Sequence, residues 1–228
     1  MKKTSIIVPV FNEENTVVEL IGKLKSLEME KEIIIIDDGS TDRTKEILSK
    51  IEDAEIKVIF NEKNQGKGSA IINGIKLSGG DMIVIQDADL EYDPNELLLM
   101  VDTMIKNDYK VLYGSRFLKK NRPDGMCVAN LAANKILTYV ANILYNAKIT
   151  DEATCYKLFR ANILKNLNLK AKKFEFCPEV TAKVRKKGYD INEVSISYKA
   201  RKIKDGKKIG VGDMISALWT LVKYRFIN

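Results

Sequence analysis

The 228-residue chain contains no histidine. That excludes Ser-His-Asp and Cys-His catalytic triads and every histidine-ligated metal site. Cysteine is scarce as well: Cys127, Cys155 and Cys177 stand far apart, and no C-x-x-C occurs. Neither a disulfide framework nor a zinc site is expected from that pattern, and a reducing compartment is. The dinucleotide fingerprint G-x-G-x-x-G and the P-loop pattern G-x-x-x-x-G-K-S/T are both missing. No run of about eighteen residues is uniformly apolar, so no membrane-crossing helix is expected. The N-terminus enters a strand pattern directly after Lys2-Lys3, with no signal-peptide pattern. Basic stretches interleaved with aromatics are also lacking, so nucleic acid is not an expected partner.

What is present is enough apolar material for a real core, at 45% hydrophobic and 30% charged residues. No repeat or linker divides the chain, and one domain spanning 1–228 is expected. Lysine and arginine number 38 against 31 acids, for a net charge of +7. That balance suits phosphorylated substrates, nucleic acid or an anionic membrane surface, and does not choose between them.

Short apolar runs alternate with amphipathic stretches. Residues 5–10 (SIIVPV) read as a central strand, followed by a helix that Asn12 is placed to cap. Ile33-Ile34-Ile35-Ile36 reads as a strand buried on both faces, as in a parallel sheet. Gly39-Ser40 turns the chain, and Ser40 or Thr41 caps the next helix. Residues 56–60 form a third strand, and Asn64-Gln65-Gly66-Lys67-Gly68 opens another helix. Gly66-x-Gly68 at a helix start can cradle phosphate, although close backbone packing is the more ordinary use of such glycines. Residues 109–113 make a fifth strand leading into Gly114-Ser115-Arg116. The alternation is the signature of a doubly wound, mostly parallel α/β sheet. Right-handed crossovers then bring Glu13, Asp38, Asp87, Asp89 and Arg116 to one edge.

The fourth strand, Met82-Ile83-Val84-Ile85, ends in Gln86-Asp87-Ala88-Asp89-Leu90-Glu91. Alternate residues of an extended chain point the same way, which would let Asp87, Asp89 and Glu91 converge on a hard divalent cation, Mg²⁺ or Mn²⁺, carrying phosphate oxygens. The plainer reading is a solvated acidic turn. Beyond Arg116 come a basic loop, a long helix over 128–146, a strand near 157–160, a helix that Gly188 ends, an alternating strand over 191–198 and a basic run over 199–208. The helix over 214–227 is amphipathic, with Trp219, Tyr224 and Phe226 and a basic end at Lys223 and Arg225. It, and the helix over 128–146, either pack on the domain or lie on a bilayer surface.

These strand exits together resemble the family 2 glycosyltransferases of GT-A fold, in particular the dolichol-phosphate mannose synthase-like, polyprenyl-phosphate enzymes. The residues that carry the resemblance are Val8-Pro9-Val10-Phe11-Asn12-Glu13, Asp37-Asp38-Gly39-Ser40-Thr41-Asp42, Asn64-Gln65-Gly66-Lys67-Gly68, Gln86-Asp87-Ala88-Asp89, Gly114-Ser115-Arg116, Asp151-Glu152-Ala153-Thr154-Cys155-Tyr156-Lys157 and Gly206-Lys207-Lys208-Ile209. The resemblance implies a GT-A fold with a nucleotide-binding half (1–116) and an acceptor-binding half (117–228). It implies a nucleoside pocket lined by Pro9, Phe11, Glu13, Ile36 and Asp38, and a nucleotide contact from the backbone of Ala88. It places Lys67 with the nucleotide-binding residues. Asp87, Asp89 and Glu91 would hold the metal, and Arg116, Arg201 and Lys207 would face phosphates. The implied partners are a nucleoside-diphosphate sugar and a polyprenyl or dolichyl phosphate, at the cytoplasmic face of a membrane with peripheral attachment. Were the acceptor a sugar hydroxyl instead, a carboxylate base is needed, and Asp151 is the candidate, its plain alternative being a loop cap. This chain departs from the common pattern at Phe11, where relatives often have tyrosine, and at Lys207-Lys208, where a Ser-Lys pair is usual.

Overall fold

The computed structural model describes residues 2–120, 122–200 and 210–227. In chain order the elements are β1 (Thr4–Val10), α1 (Val17–Lys25), β2 (Lys31–Asp37), α2 (Thr44–Ser49), β3 (Ile56–Phe60), α3 (Lys67–Leu77), β4 (Met82–Ile85), α4 (Glu96–Lys106), β5 (Val111–Ser115), α5 (Val128–Tyr145), β6 (Lys157–Arg160), α6 (Ala161–Lys165), α7 (Phe176–Lys186), β7 (Asn192–Ser195) and α8 (Val211–Phe226). The strands form one sheet in the order β3-β2-β1-β4-β6-β5-β7.

β1, β2, β3 and β4 are parallel neighbours. Every residue of β1 and β4 is buried. Such apolar runs require cover on both faces. α3 lies on the face that carries Ile7, Ile34 and Ile36: Ile36 packs with Ile34 and Ala70, and Gly74 approaches Ile7 so closely that a Cβ there would collide at 2.5 Å. The alternate residues Ile6, Val8, Ile33 and Ile35 share a core with Val17, Leu20 and Leu24 of α1 and Leu48 of α2. Each such buried aliphatic side chain contributes about 2 kcal/mol relative to exposure.

β6 departs from the simple doubly wound plan. It runs antiparallel to both β4 and β5 and separates them, with Val84 opposite Leu158 and Tyr113 opposite Lys157. β5 pairs in parallel with β7. Because β6 is reversed, its entry rather than its exit lies at the edge where β1, β2, β4 and β5 end. Residues 151–156 are thereby delivered to the crevice.

Two caps differ from expectation. Asn12 (φ 54°) does not cap α1, which starts at Val17; its Oδ1 accepts the Thr41 N–H at 2.8 Å. Neither Ser40 nor Thr41 caps α2. Asp42 Oδ1 accepts the Thr44 N–H at 2.9 Å, while Ser40 Oγ accepts the Asn12 N–H and donates to Asp37 Oδ1. These short polar side chains tie the two crevice loops to each other.

α5 and α8 are both packed and exposed. α5 buries Leu137, Ala141 and Tyr145, and the Tyr145 hydroxyl donates to the Leu221 carbonyl. α8 buries Ala217, Leu221 and Tyr224. Their outer faces carry Val128, Ile136, Tyr139 and Ile143 on α5 and Ile215, Trp219, Val222 and Phe226 on α8.

Candidate active site

A cleft of about 410 Å³ opens at the crevice edge. Pro9, Phe11 and Glu13 reach it from the exit of β1, and Asp38 from the exit of β2. Lys67 enters from the start of α3, Asp87, Ala88, Asp89 and Glu91 from the exit of β4, and Arg116 from the exit of β5. Ile36 does not line it. It is fully buried, packed with Ile34 and Ala70 under α3. Arg201 and Lys207 lie outside the described residues. Glu13 also serves its own helix start, where its carboxylate accepts the Thr16 hydroxyl at 2.9 Å.

Asp38 braces the loop that carries Lys67. Its carboxylate accepts Asn61 Nδ2 at 2.8 Å, the Gln65 N–H at 3.0 Å and the Gly66 N–H at 2.7 Å. Three of about four acceptor positions on the carboxylate are thus engaged before any ligand arrives. Gly66 holds φ at 96°, and a Cβ on it would run into the Lys172 carbonyl. Gly68 is equally pressed, against the carbonyls of Ala171 and Lys173. The glycines therefore let α3 dock against the 171–173 backbone, the plainer of their two sequence interpretations.

The carboxylate stretch is a turn rather than an extended strand. β4 stops at Ile85, and Leu90 adopts φ 58°. Lys67 Nζ lies 2.6 Å from Asp87 Oδ1. Burial alone would push the Lys67 pKa down, but the Asp87 carboxylate outweighs it and raises it. Asp89 is pushed up to about 7 by burial and by the charges of Asp87 and Glu91. Glu91 Oε2 accepts the Tyr198 hydroxyl at 2.7 Å, and the Glu91 carbonyl accepts the Lys199 N–H. Among the described residues, no three carboxylate or cysteine side chains are grouped so as to hold a metal. Leu90 departs from plain strand alternation, but Asp87, Asp89 and Glu91 all line the cleft, the charge of Glu91 reaches Asp89, and Glu91 Oε2 also accepts the Tyr198 hydroxyl. The set offers only hard oxygen donors. It fits a small divalent cation that brings phosphate oxygens with it, the usual protein contribution to Mg²⁺ being one or two carboxylates.

Arg116 is pinned beside this turn. Its Nε and Nη2 donate to Asp151 Oδ2 and Oδ1, both at 2.7 Å, and Nη2 also donates to Asn134 Oδ1 at 2.9 Å. The guanidinium lies 5.0 Å from the Tyr198 ring centre. Burial disfavours its charge, but Asp151 outweighs this and holds its pKa well above the ordinary value. Asp151 is fully buried with both oxygens on Arg116. Both of its oxygens are thus taken by Arg116, whose orientation it fixes.

The cleft continues past Cys155 and Cys177 to Glu152, at the entry of β6. Glu152 is fully buried, and burial raises its pKa, opposed by Lys157. The sequence singled out neither Tyr198 nor Glu152, since each is placed by a strand partner distant in the chain; the adjacent acids Asp151-Glu152 were the visible signal for the second. Beyond Arg116, the cleft wall is completed by Asn134 and Leu137 of α5 and by Met214 and Ala217 of α8.

Residues 5–167 match the model of glycosyl transferase family 2. The chain belongs to this family. It is 28% identical over 210 residues to the UDP-N-acetylglucosamine–dolichyl-phosphate N-acetylglucosaminyltransferase of Methanococcus voltae, covering 84% of this chain and 83% of that protein. It is 30% identical over 208 residues to the dodecaprenyl-phosphate galacturonate synthase of Rhizobium johnstonii, covering 86% of this chain and 59% of that protein. Among solved structures, glucosyl-3-phosphoglycerate synthase from Mycobacterium tuberculosis, in complex with Mn²⁺, UDP and phosphoglyceric acid, superposes with a TM-score of 0.74 at 20% identity, over 100% of this chain and 80% of that one. The fold is that of the GT-A glycosyltransferases. The protein is a hexosyltransferase that uses nucleotide sugars.

Proposed function

We propose that this glycosyltransferase moves a hexose from a nucleoside-diphosphate sugar to the phosphate of a polyprenyl lipid at a membrane surface, with inversion at the anomeric carbon. One observation carries the reading: the cleft runs from the charged pair Asp87–Asp89 to a mouth walled by α5 and α8, whose outer faces are apolar. Two relatives named for lipid-phosphate acceptors support it.

Pro9, Phe11 and Glu13 would receive the nucleoside beside the Asp38-braced loop. Asp87 and Asp89 would hold Mg²⁺ or Mn²⁺, which when bound supplies positive charge to the departing diphosphate. Lys67 stands where it can leave Asp87 for a phosphate oxygen and keep the charge balanced. Arg116 keeps two of its five N–H donors for an anion once Asp151 and Asn134 have taken three. Its orientation is fixed in advance, so little reorganisation accompanies phosphate binding. An acceptor phosphate is already anionic near neutral pH and needs no strong base, which agrees with an Asp151 that is closed to substrate.

The surface reading rests on α5 and α8. Among the described residues no helix is long and apolar enough to cross a membrane. The exposed stripe Ile215, Trp219, Val222 and Phe226 is flanked by Lys223 and Arg225, and α5 carries Lys135 as its one charged residue. An apolar face edged by cations complements an anionic lipid surface.

The test is nucleoside-diphosphate release from GDP-mannose, UDP-glucose and UDP-GlcNAc, with and without a short-chain polyprenyl phosphate and Mg²⁺ or Mn²⁺. Release that requires both lipid phosphate and metal is the expected result. Donor binding without lipid-stimulated release would assign a non-lipid acceptor.

A further inference from the structure

Among the described residues, two buried oxygens without a hydrogen-bond partner stand two positions apart at the entry of β6: Glu152 Oε2 and Thr154 Oγ1. The rest of Glu152 is fully engaged. Its N–H donates to Thr138 Oγ1 at 3.0 Å, its carbonyl accepts Lys157 Nζ at 2.6 Å, and its Oε1 accepts the Thr181 hydroxyl at 3.2 Å. Thr181 is bridged in turn to the Tyr113 hydroxyl at 3.0 Å, and Lys157 Nζ sits 3.8 Å from the Tyr113 ring centre. The backbone is thus held from α5 and β6 and the carboxylate from α7, with one oxygen left over.

A buried acceptor without a donor is costly and rare, so its partner is supplied by ordered water or by a ligand. Glu152 borders the cleft, as do its neighbours Ala153 and Cys155. In the sheet β6 lies next to β4 on the side away from β1 and β2, and it runs antiparallel to β4. Its entry, with Glu152, therefore stands just beyond the carboxylate turn, on the side away from Phe11 and Asp38. In a nucleoside-diphosphate sugar the groups come in fixed order: base, ribose, two phosphates, sugar. With the nucleoside at Phe11 and Asp38 and the diphosphate at Asp87, Asp89 and Lys67, the sugar is the part that arrives at Glu152.

We propose that Glu152 Oε2 accepts a hydrogen bond from a hydroxyl group of the transferred sugar and so sets which sugar the enzyme takes. A carboxylate oxygen accepts only, and a hexose offers several O–H donors at fixed stereochemistry. A site built to hydrogen-bond a substrate hydroxyl discriminates strongly against the analogue lacking it, because its own polar group is then left unpaired. The inference rests on the nucleotide-sugar function given above. It goes further in assigning the sugar end of the cleft to a residue that no metal or phosphate contact involves.

The experiment measures dissociation constants of the full chain by calorimetry for UDP, GDP, UDP-GlcNAc, UDP-glucose and GDP-mannose, in wild type, Glu152→Gln and Thr154→Val. For whichever sugar donor binds wild type, Glu152→Gln is expected to weaken affinity roughly ten- to a hundredfold, while the matching nucleoside diphosphate binds unchanged. Thr154 does not line the cleft, so Thr154→Val serves as the control and should leave both donor and diphosphate binding unchanged. Monodeoxy analogues of that donor supply the second measurement. Wild type alone should lose affinity for one analogue, a reading that needs no variant, and for that analogue the penalty of a folded Glu152→Gln should vanish. Equal weakening of donor and diphosphate by Glu152→Gln, or no weakening of either, would overturn the assignment and leave Glu152 as a buried structural acid whose free oxygen holds water. Failure of wild type to bind any nucleoside diphosphate or its sugar would instead overturn the donor class itself, and this assignment with it.

Discussion

Asp151 gives both of its carboxylate oxygens to the guanidinium of Arg116, at 2.7 Å from Nε and 2.7 Å from Nη2, and neither side chain is more than 6% exposed. Removing one partner of such a pair strands a buried charge, which costs about 3–5 kcal/mol. Asp151→Asn is therefore expected to lower unfolding stability by about 3 kcal/mol, and to reduce turnover through a displaced Arg116. Denaturant melts and a pH–rate profile check both. A stable variant whose profile has lost its acidic limb would assign Asp151 the role of base.

Asp89→Ala tests the metal pair. Asp89 already carries excess negative charge around it, from Asp87 and Glu91, so its removal should leave stability unchanged or slightly improved. Turnover should fall by more than about a hundredfold, since charge stabilisation on a leaving diphosphate is worth several kcal/mol. Wild-type rates at saturating Mg²⁺ or Mn²⁺ would remove the metal assignment.

Glu32 is a stability site remote from the cleft. Its Oε1 accepts the Ser5 hydroxyl at 2.5 Å, the Gly79 N–H at 2.6 Å and the Gly80 N–H at 3.0 Å, and Lys3 Nζ lies 3.3 Å from Oε2. Burial works against the charge, but these donors outweigh it and lower the pKa from 4.5. A lowered carboxylate stabilises the fold above the unfolded value and loses that contribution as pH falls through the folded one. Glu32→Gln should cost about 2 kcal/mol near pH 7, and the gap between variant and wild type should close below about pH 4.5. A gap that persists undiminished at pH 3 would show that packing, not charge, is responsible.

Trp219 is the sole tryptophan and is 64% exposed on α8. If the α5–α8 face meets lipid, its emission should shift to the blue on adding anionic vesicles and much less on zwitterionic ones, with the effect weakened by salt. Trp219→Ala with Phe226→Ala should reduce vesicle co-sedimentation several-fold. Unaltered emission together with a dimer in solution would make the face a protein interface.

Much of the nucleotide half was legible because its signals are local. Ile33-Ile34-Ile35-Ile36 can only be a strand covered on both faces, and the Gly-Ser and Asn-Gln-Gly stretches mark turns wherever they fall. The carboxylate stretch was legible in composition but not in all its geometry: Leu90 takes a left-handed conformation, and Glu91 also holds the hydroxyl of Tyr198, a residue far along the chain.

The sequence by itself determined the strands and most of the helices and placed several charged residues at strand exits, because hydrophobic period and turn chemistry act over a few residues. Tertiary structure alone decided the pairings. A reversed β6 between β4 and β5 brings Asp151 to Arg116 and Glu152 to the deep end of the cleft. Strand order is set by which faces can be buried together across the whole chain, and that information is spread over contacts between residues dozens of positions apart.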